Sequence, residues 1–180
     1  PQFDKDISIE AQKIFEKKGI KFELNAKISS INESKKKVVI SNNDQKIESD
    51  ALIMSIGVSP NLDSKILDNT NIILDKSGYI KTNDNYETNT NNLFAIGDII
   101  GGPWLAHKAM HDAINCVEYI STGKNTHKPK TQHIPGCIYS LPQVATIGYT
   151  EQQLEELTIP FKKGNFPFLA NGKSQTMSNT

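Results

Sequence analysis

Two apolar runs that each end in glycine constrain this chain most. Ala51 to Ile56 is apolar apart from Ser55 and stops at Gly57; Leu93 to Ile96 stops at Gly97-Asp98. Short continuous apolar runs predict strands buried on both faces, as in a parallel sheet covered by helices. Open α/β sheets bind ligands just beyond the carboxyl ends of their strands. Glycine at such an end lets a ligand approach the backbone and tolerates positive φ. Asp98 sits where a carboxylate accepts hydrogen bonds from sugar-like hydroxyls. Gly101-Gly102-Pro103 then leads to a helix whose free N–H groups and positive dipole end stabilise negative charge on a bound ring or phosphate.

The remaining elements follow from spacing. Asp6 reads as the N-cap of a helix carrying Ile7, Ala11, Ile14 and Phe15 and stopped at Gly19. Ile20–Leu24 alternates like a strand, and Ile28–Ile31 predicts another. Lys35–Ser41 and Lys46–Ser49 flank the turn residues Asn42 to Gln45 as a hairpin. Ile72–Leu74 and Tyr79–Thr82 bracket a second turn, Asp75 to Gly78. Leu105–Ile120 is a helix with apolar residues at 106, 109, 110, 113, 117 and 120, ending before Gly123. Asn125–Gln132 reads as a linker. Ile138–Tyr139 and Val144–Ile147 predict strands. Thr150 to Gln153 has capping-box spacing before a short helix. Phe161–Phe168 is strand-like, with Pro167 marking an edge. The chain is thus α/β up to about Gly123 and a more open α+β piece from Pro135.

Composition narrows the classes. Lysines and acids balance at 20 each, and none of the cations is arginine, so no basic stripe points to nucleic acid and no guanidinium fork is available. No apolar run approaches the ~20 residues of a membrane span, and no signal peptide is visible. Cys116 and Cys137 form neither a disulfide framework nor a CxxC pair, which fits a reducing, cytoplasmic-type compartment. Pro1 is not a natural start residue, so truncation at the N-terminus is expected.

The stretch TNTNNLFAIGDIIGG resembles the second flavin-binding motif of the two-dinucleotide-binding flavoproteins. ALIMSIGVSPN resembles the segment where their NAD domain hands back to the FAD domain. GPWLAHKA, IPGCIYSLPQVATIGYTEQQL and FPFLANGKSQTM are similar to the dihydrolipoamide dehydrogenases, within class I of the pyridine nucleotide-disulfide oxidoreductase family. The resemblance covers essentially the whole chain. It implies two Rossmann-like domains, for NAD and FAD, followed by the start of an α+β interface domain. Residues 1–90 would be the C-terminal part of the NAD domain, 91–127 the returning segment of the FAD domain, and 128–180 the opening of the dimerisation domain. Asp98 would bind the ribityl hydroxyls of FAD, and the backbone of Trp104, Leu105, Ala106 and His107 would line the flavin edge. Gly57 and Ile28 would touch NAD. Val58 departs from the arginine that many relatives carry there, leaving only a backbone contact from Gly57.

The resemblance also implies oxidation of dihydrolipoamide with NAD⁺ as acceptor, a homodimer, and docking to the acyltransferase core of a 2-oxoacid dehydrogenase complex. The setting would be bacterial cytoplasm, or the mitochondrial matrix in a eukaryote. The C-x4-C redox pair, the GxGxxG loops and the His…Glu acid–base pair of that family do not occur here. The expectation is therefore an internal fragment, catalytically silent and binding FAD weakly or not at all by itself, with apolar surface exposed. Another flavin disulfide reductase, of the mercuric reductase or NADH oxidase type, and a non-catalytic binding module are the alternatives. Trp104 either stacks near the flavin, the favoured reading, or plugs the loop. Cys116 reads as a small core residue, His111 as a partly exposed helix residue rather than an acid or base, His127 and His133 as solvated, and Lys35-Lys36-Lys37 as a solvated face. Asp112 and Glu118 have no evident partner and receive no role.

Overall fold

The computed structural model describes residues 2–34, 37–42, 45–124 and 133–177. The linker expected at 125–132, with His127, lies outside them, as do Lys35 and Lys36 and the hairpin tip at 43 and 44. The chain divides into two compact units, residues 15–58 and residues 1–14 with 59–180.

Helix α1 (Lys5–Lys17) is capped by Asp4 rather than by Asp6. The Asp4 carbonyl accepts from Ser8 N at 2.9 Å, and its carboxylate accepts from Asp6 N at 3.1 Å. Asp6 already lies inside the first turn. The helix stops as expected at Gly19, whose φ of +90° suits glycine.

In the 15–58 unit, β1 (Ile28–Ser34), β2 (Lys37–Asn42) and β3 (Gln45–Ser49) form an antiparallel meander in that order. Val39 faces Asn32 on one side and Glu48 on the other. Lys37 pairs with Asp50 at 2.7 Å on the surface. Two expected strands do not form. Residues 20–24 run without a ladder into a turn at Leu24-Asn25, and 51–56 carries no strand. Ile53 and Ile56 are 89% and 86% exposed. Strand character needs a hydrogen-bonding neighbour, and no described residue offers one to either run.

In the other unit, α2 (Ser64–Thr70) is capped by Asp63 and ends on Asn71 in the left-handed region. The Asp75–Gly78 turn forms, with the Asp75 carboxylate accepting from Ser77 N and Tyr79 N at 2.8 and 3.0 Å. Its flanks meet in a single bridge, Leu74 to Ile80, and Leu93–Ile96 likewise has one bridge, Glu87 to Phe94, instead of a full strand. A 3₁₀ turn (Gly97–Ile100) follows, then α3 (Ala106–Thr122), stopped by Gly123 at φ +69°. β4 (Gly136–Ile138) pairs antiparallel with β5 (Val144–Thr146). α4 (Glu151–Glu156) opens on the expected capping box between Thr150 and Gln153. Residues 161–167 are irregular rather than a strand; a 3₁₀ turn at Phe168–Ala170 and α5 (Gly172–Thr176) follow. All paired strands among the described residues are antiparallel. Among the described residues the buried apolar ones are few: Ile80, Tyr86, Ala95, Cys116 and Val144.

Candidate functional site

The 93–112 segment is held from beneath. Ala95 is buried, and Gly97 follows with φ +74° and its amides turned toward α3. A Cβ at position 97 would lie 3.3 Å from the Ala109 methyl, and at φ +74° it would also strain the backbone, so glycine suits the turn's close rest on the helix. Gly101, at φ +77°, closes the turn by donating to the Asp98 carbonyl at 3.1 Å, with the Tyr79 ring against its other side. Asp98 itself is exposed, and its carboxylate has no hydrogen-bond or ion-pair partner among the described residues. A free carboxylate on a fixed turn is suited to accept hydrogen bonds from hydroxyls.

Helix α3 starts beside this turn. Leu105 stands at its N-cap and supplies no side-chain cap. The first-turn N–H groups therefore lack the usual oxygen partner and favour negative charge. Ala106 opens the helix, exposed. The His107 imidazole is not idle: its Nε2 lies 2.9 Å from the Pro135 carbonyl, tying the first turn of α3 to the approach to β4. The Trp104 ring stacks on Tyr79, with centroids 6.3 Å apart and planes 27° apart. Trp104 nonetheless stays 46% exposed. Gly57, at φ +122° and exposed, and Ile28, the half-exposed first residue of β1, belong to the 15–58 unit.

The inner face of α3 overturns its sequence reading. The apolar stripe faces outward: Met110, Val117 and Ile120 are more than half exposed. The buried positions are Lys108, Asp112, Asn115 and Cys116. Burial there follows from the backbone of the 97–101 turn, whose polar groups need partners. Lys108 Nζ sits 2.7 Å from Asp112 Oδ2 and donates to the carbonyls of Gly97 and Gly101 at 3.2 and 3.3 Å. Asp112 in turn accepts from Gly97 N at 3.1 Å and from the Tyr86 hydroxyl at 3.2 Å. Burial, reinforced by the Asp112 charge and opposed by a bond from Asn115, holds the Tyr86 phenol above its ordinary pKa, so it stays a donor. Burial and the same carboxylate push the Cys116 thiol up, which leaves it protonated and unreactive.

A profile of the pyridine nucleotide-disulphide oxidoreductases matches residues 1–113, and a profile of the same proteins' dimerisation domain matches residues 134–180. The chain belongs to this family. The family is one of FAD- and NAD(P)-dependent flavoproteins with an α/β dinucleotide-binding fold. A dihydrolipoyl dehydrogenase of Pisum sativum mitochondria is 36% identical over 99% of the chain, and one of Cupriavidus necator is 36% identical over 98%. The leghemoglobin reductase of Glycine max is 37% identical over 99%. The chain spans only 36%, 38% and 35% of these three proteins. Among solved structures, the flavoprotein disulfide reductase RclA of Escherichia coli superposes with a TM-score of 0.89 at 23% identity, over 100% of this chain and 41% of that one. LpdA of Mycobacterium tuberculosis gives 0.85 at 20%, over 99% and 39%. At these identities the two structures speak for the fold alone.

The residues singled out in the sequence, Asp98 and Trp104 to His107, lie on one turn and the helix start beside it. Lys108 and Asp112 went unassigned in the sequence. The signal was there: 108, 112, 115 and 119 share one helix face, but the apolar stripe masks it. Asp4, Asp6 and Glu151 also cluster as a cation cradle would. The Lys163 ammonium already fills it, 2.6 Å from Asp6 and 2.5 Å from Glu151. No described helix is long and apolar enough to cross a membrane.

Proposed function

We propose that this chain is a segment of a dihydrolipoyl dehydrogenase, which oxidises dihydrolipoamide to lipoamide with FAD and passes the electrons to NAD⁺. The observation that carries the reading is the free Asp98 carboxylate on its fixed turn, next to the uncapped start of α3. A hydroxylated chain on Asp98 and an electron-rich ring edge at the helix start satisfy both. FAD, when bound, supplies the two-electron exchange between dithiol and nicotinamide. In that arrangement Asp98 binds and orients the ribityl hydroxyls. The backbone from Trp104 to His107 borders the ring, and the α3 dipole favours negative charge there. Gly57 and Ile28 contribute contacts to NAD.

Three further features belong to the same reading. Residues 1–90, 91–127 and 128–180 divide between the NAD domain, the FAD domain and the interface domain. The working protein is a homodimer bound to the acyltransferase core of a 2-oxoacid dehydrogenase complex, in bacterial cytoplasm or the mitochondrial matrix. The redox disulfide and the acid–base pair come from other parts of the protein, because Cys116 and Cys137 are free thiols with twenty residues between them. Alone, the segment is inactive and holds FAD weakly or not at all. The outward apolar stripe of α3 and the bare 51–58 run support that expectation.

The test is the full-length protein with Asp98→Ala. Its affinity for FAD is expected to fall at least about tenfold, the scale of a charge-assisted hydrogen bond, and NAD⁺ reduction by dihydrolipoamide with it. Unchanged affinity rules out Asp98 as the ribityl ligand. Reduction of mercuric ion or dioxygen, with no turnover of dihydrolipoamide, moves the assignment to another disulfide reductase.

A further inference from the structure

The Lys108–Asp112 pair sits where a charge pair needs a reason. Both residues are buried, at 8% and 5% exposure. Burying two charges costs several kcal/mol per ion unless every donor and acceptor is met. Here they are met, and nearly all by one short stretch of backbone. An ammonium has three hydrogens, and Lys108 Nζ has three acceptors: Asp112 Oδ2, the Gly97 carbonyl and the Gly101 carbonyl. Asp112 Oδ2 receives a second donor from Gly97 N, and its Oδ1 receives the Tyr86 hydroxyl. Gly97 is therefore gripped at both its N–H and its C=O, and the far end of the turn is gripped at Gly101. Asp98 is the residue between those grips, and its own side chain touches none of them.

We propose that Lys108 and Asp112 are positioning residues for the flavin's ribityl chain, fixing both ends of the Gly97–Gly101 turn so that the Asp98 carboxylate is in place before FAD arrives. The inference rests on the reading of Asp98 as the ribityl ligand. Preorganisation raises affinity by removing the ordering cost of the site. An apolar pair of similar volume would fill the space but leave the Gly97 N–H and the Gly97 and Gly101 carbonyls without these partners.

The experiment uses the full-length apoprotein and three variants: Asp98→Ala, Lys108→Met, and the double variant Lys108→Met with Asp112→Asn. The double variant leaves no unpaired buried charge, so it removes the grip on the two carbonyls at a smaller cost in stability than Lys108→Met, which strands the Asp112 carboxylate. FAD affinity, the visible circular dichroism of the bound flavin and the apoprotein's melting temperature are measured for each. The double variant is expected to bind FAD about tenfold more weakly or worse, with an altered flavin dichroism and a melting temperature between those of Lys108→Met and the wild type. Affinity within twofold and unchanged dichroism, with only the melting temperature lowered, overturns the proposal and leaves the pair a packing element. If Asp98→Ala also binds FAD normally, the reading of Asp98 fails and the proposal with it. A weakened Asp98→Ala beside a normal double variant sinks the proposal alone. Hydrogen exchange at the Gly97 amide of the wild-type apoprotein tests the same point without any variant. Protection before FAD is added is expected, and protection that arises only on binding overturns the preformed turn.

Discussion

Residues 51–57 and 93–97 begin as the same kind of sequence, an apolar run ended by a glycine at positive φ. Ile53 and Ile56 nonetheless stand 89% and 86% exposed, while Ala95 is 7% exposed and Gly97 is buried. The difference lies in what reaches each glycine. Around Gly57 nothing stands within 4 Å of where a Cβ would be. Around Gly97 stand Ala109, Lys108 and Asp112, all delivered by a helix that begins nine residues later. The 93–97 run also has backbone partners, with Ala95 N donating to the Tyr86 carbonyl and Thr88 N to the Leu93 carbonyl, both at 3.0 Å, whereas 51–56 has no backbone partner among the described residues. The buried ion pair adds to that difference.

Breaking that pair is expected to have the largest effect. Asp112→Ala leaves the Lys108 charge buried and unmatched and strips the Gly97 N–H and the Tyr86 hydroxyl of their acceptor. A loss of roughly 3–5 kcal/mol in unfolding free energy is expected, read from the denaturant midpoint. A loss under about 1 kcal/mol would mean that apolar contacts hold the 97–101 turn, and the contrast with 51–58 would need another cause.

Next come the two glycines. Gly97→Ala meets both a dihedral cost and the Ala109 methyl at 3.3 Å, and about 2–3 kcal/mol is expected. Gly57→Ala meets the dihedral cost only, in an exposed stretch that can rotate to relieve it, and under about 1 kcal/mol is expected. Equal shifts in the two unfolding midpoints would show that the turn at 97 adjusts as freely as the chain at 57.

Alkaline pH separates the regions by chemistry. Residues 51–58 contain no titratable side chain. Tyr86 and Cys116, beside Asp112, both have pKa values raised chiefly by burial from ordinary values of 10.0 and 9.0. A raised folded-state value means the stabilisation is complete below the ordinary pKa and drains away as pH climbs toward the folded one. Stability is thus expected to fall from about pH 9 upward, and Cys116→Ala with Tyr86→Phe should flatten that limb. A limb that persists in the double variant assigns it to other groups, such as Lys163, whose pKa its bonds to Asp6 and Glu151 also raise.

What the sequence showed and hid follows the same division. Gly19, Gly123, the Asp75–Gly78 turn and the Thr150–Gln153 capping box were legible because each is settled by residues within a few positions. The Asp98 turn and the α3 start were legible as a motif. The strands expected at 20–24, 51–56 and 161–168 were not realised, because a strand depends on a neighbour that local spacing does not specify. Asp112 stayed hidden for a related reason. Its acceptors serve Lys108 four residues back, Gly97 fifteen back and Tyr86 twenty-six back, and only the first is a spacing that a helix reveals.

The smallest effect expected is also the one that tests what exposure means for the 51–58 run. Ile56→Thr changes a side chain already 86% in solvent. It removes little apolar area from contact, and threonine suits extended backbone about as well as isoleucine. In the 180-residue chain the unfolding free energy should move by no more than about 0.5 kcal/mol, as for substitutions at open surface. The same substitution in the full-length gene product gives the sharper reading. A cost near zero there shows that the run stays in water, and its apolar character then has no packing explanation. A cost of about 1–3 kcal/mol, the scale of burying such a side chain, shows that another part of the protein covers it. The two glycine-ended runs would then differ only in where their partners are encoded: for Gly97 on the next helix, for Gly57 far along the chain.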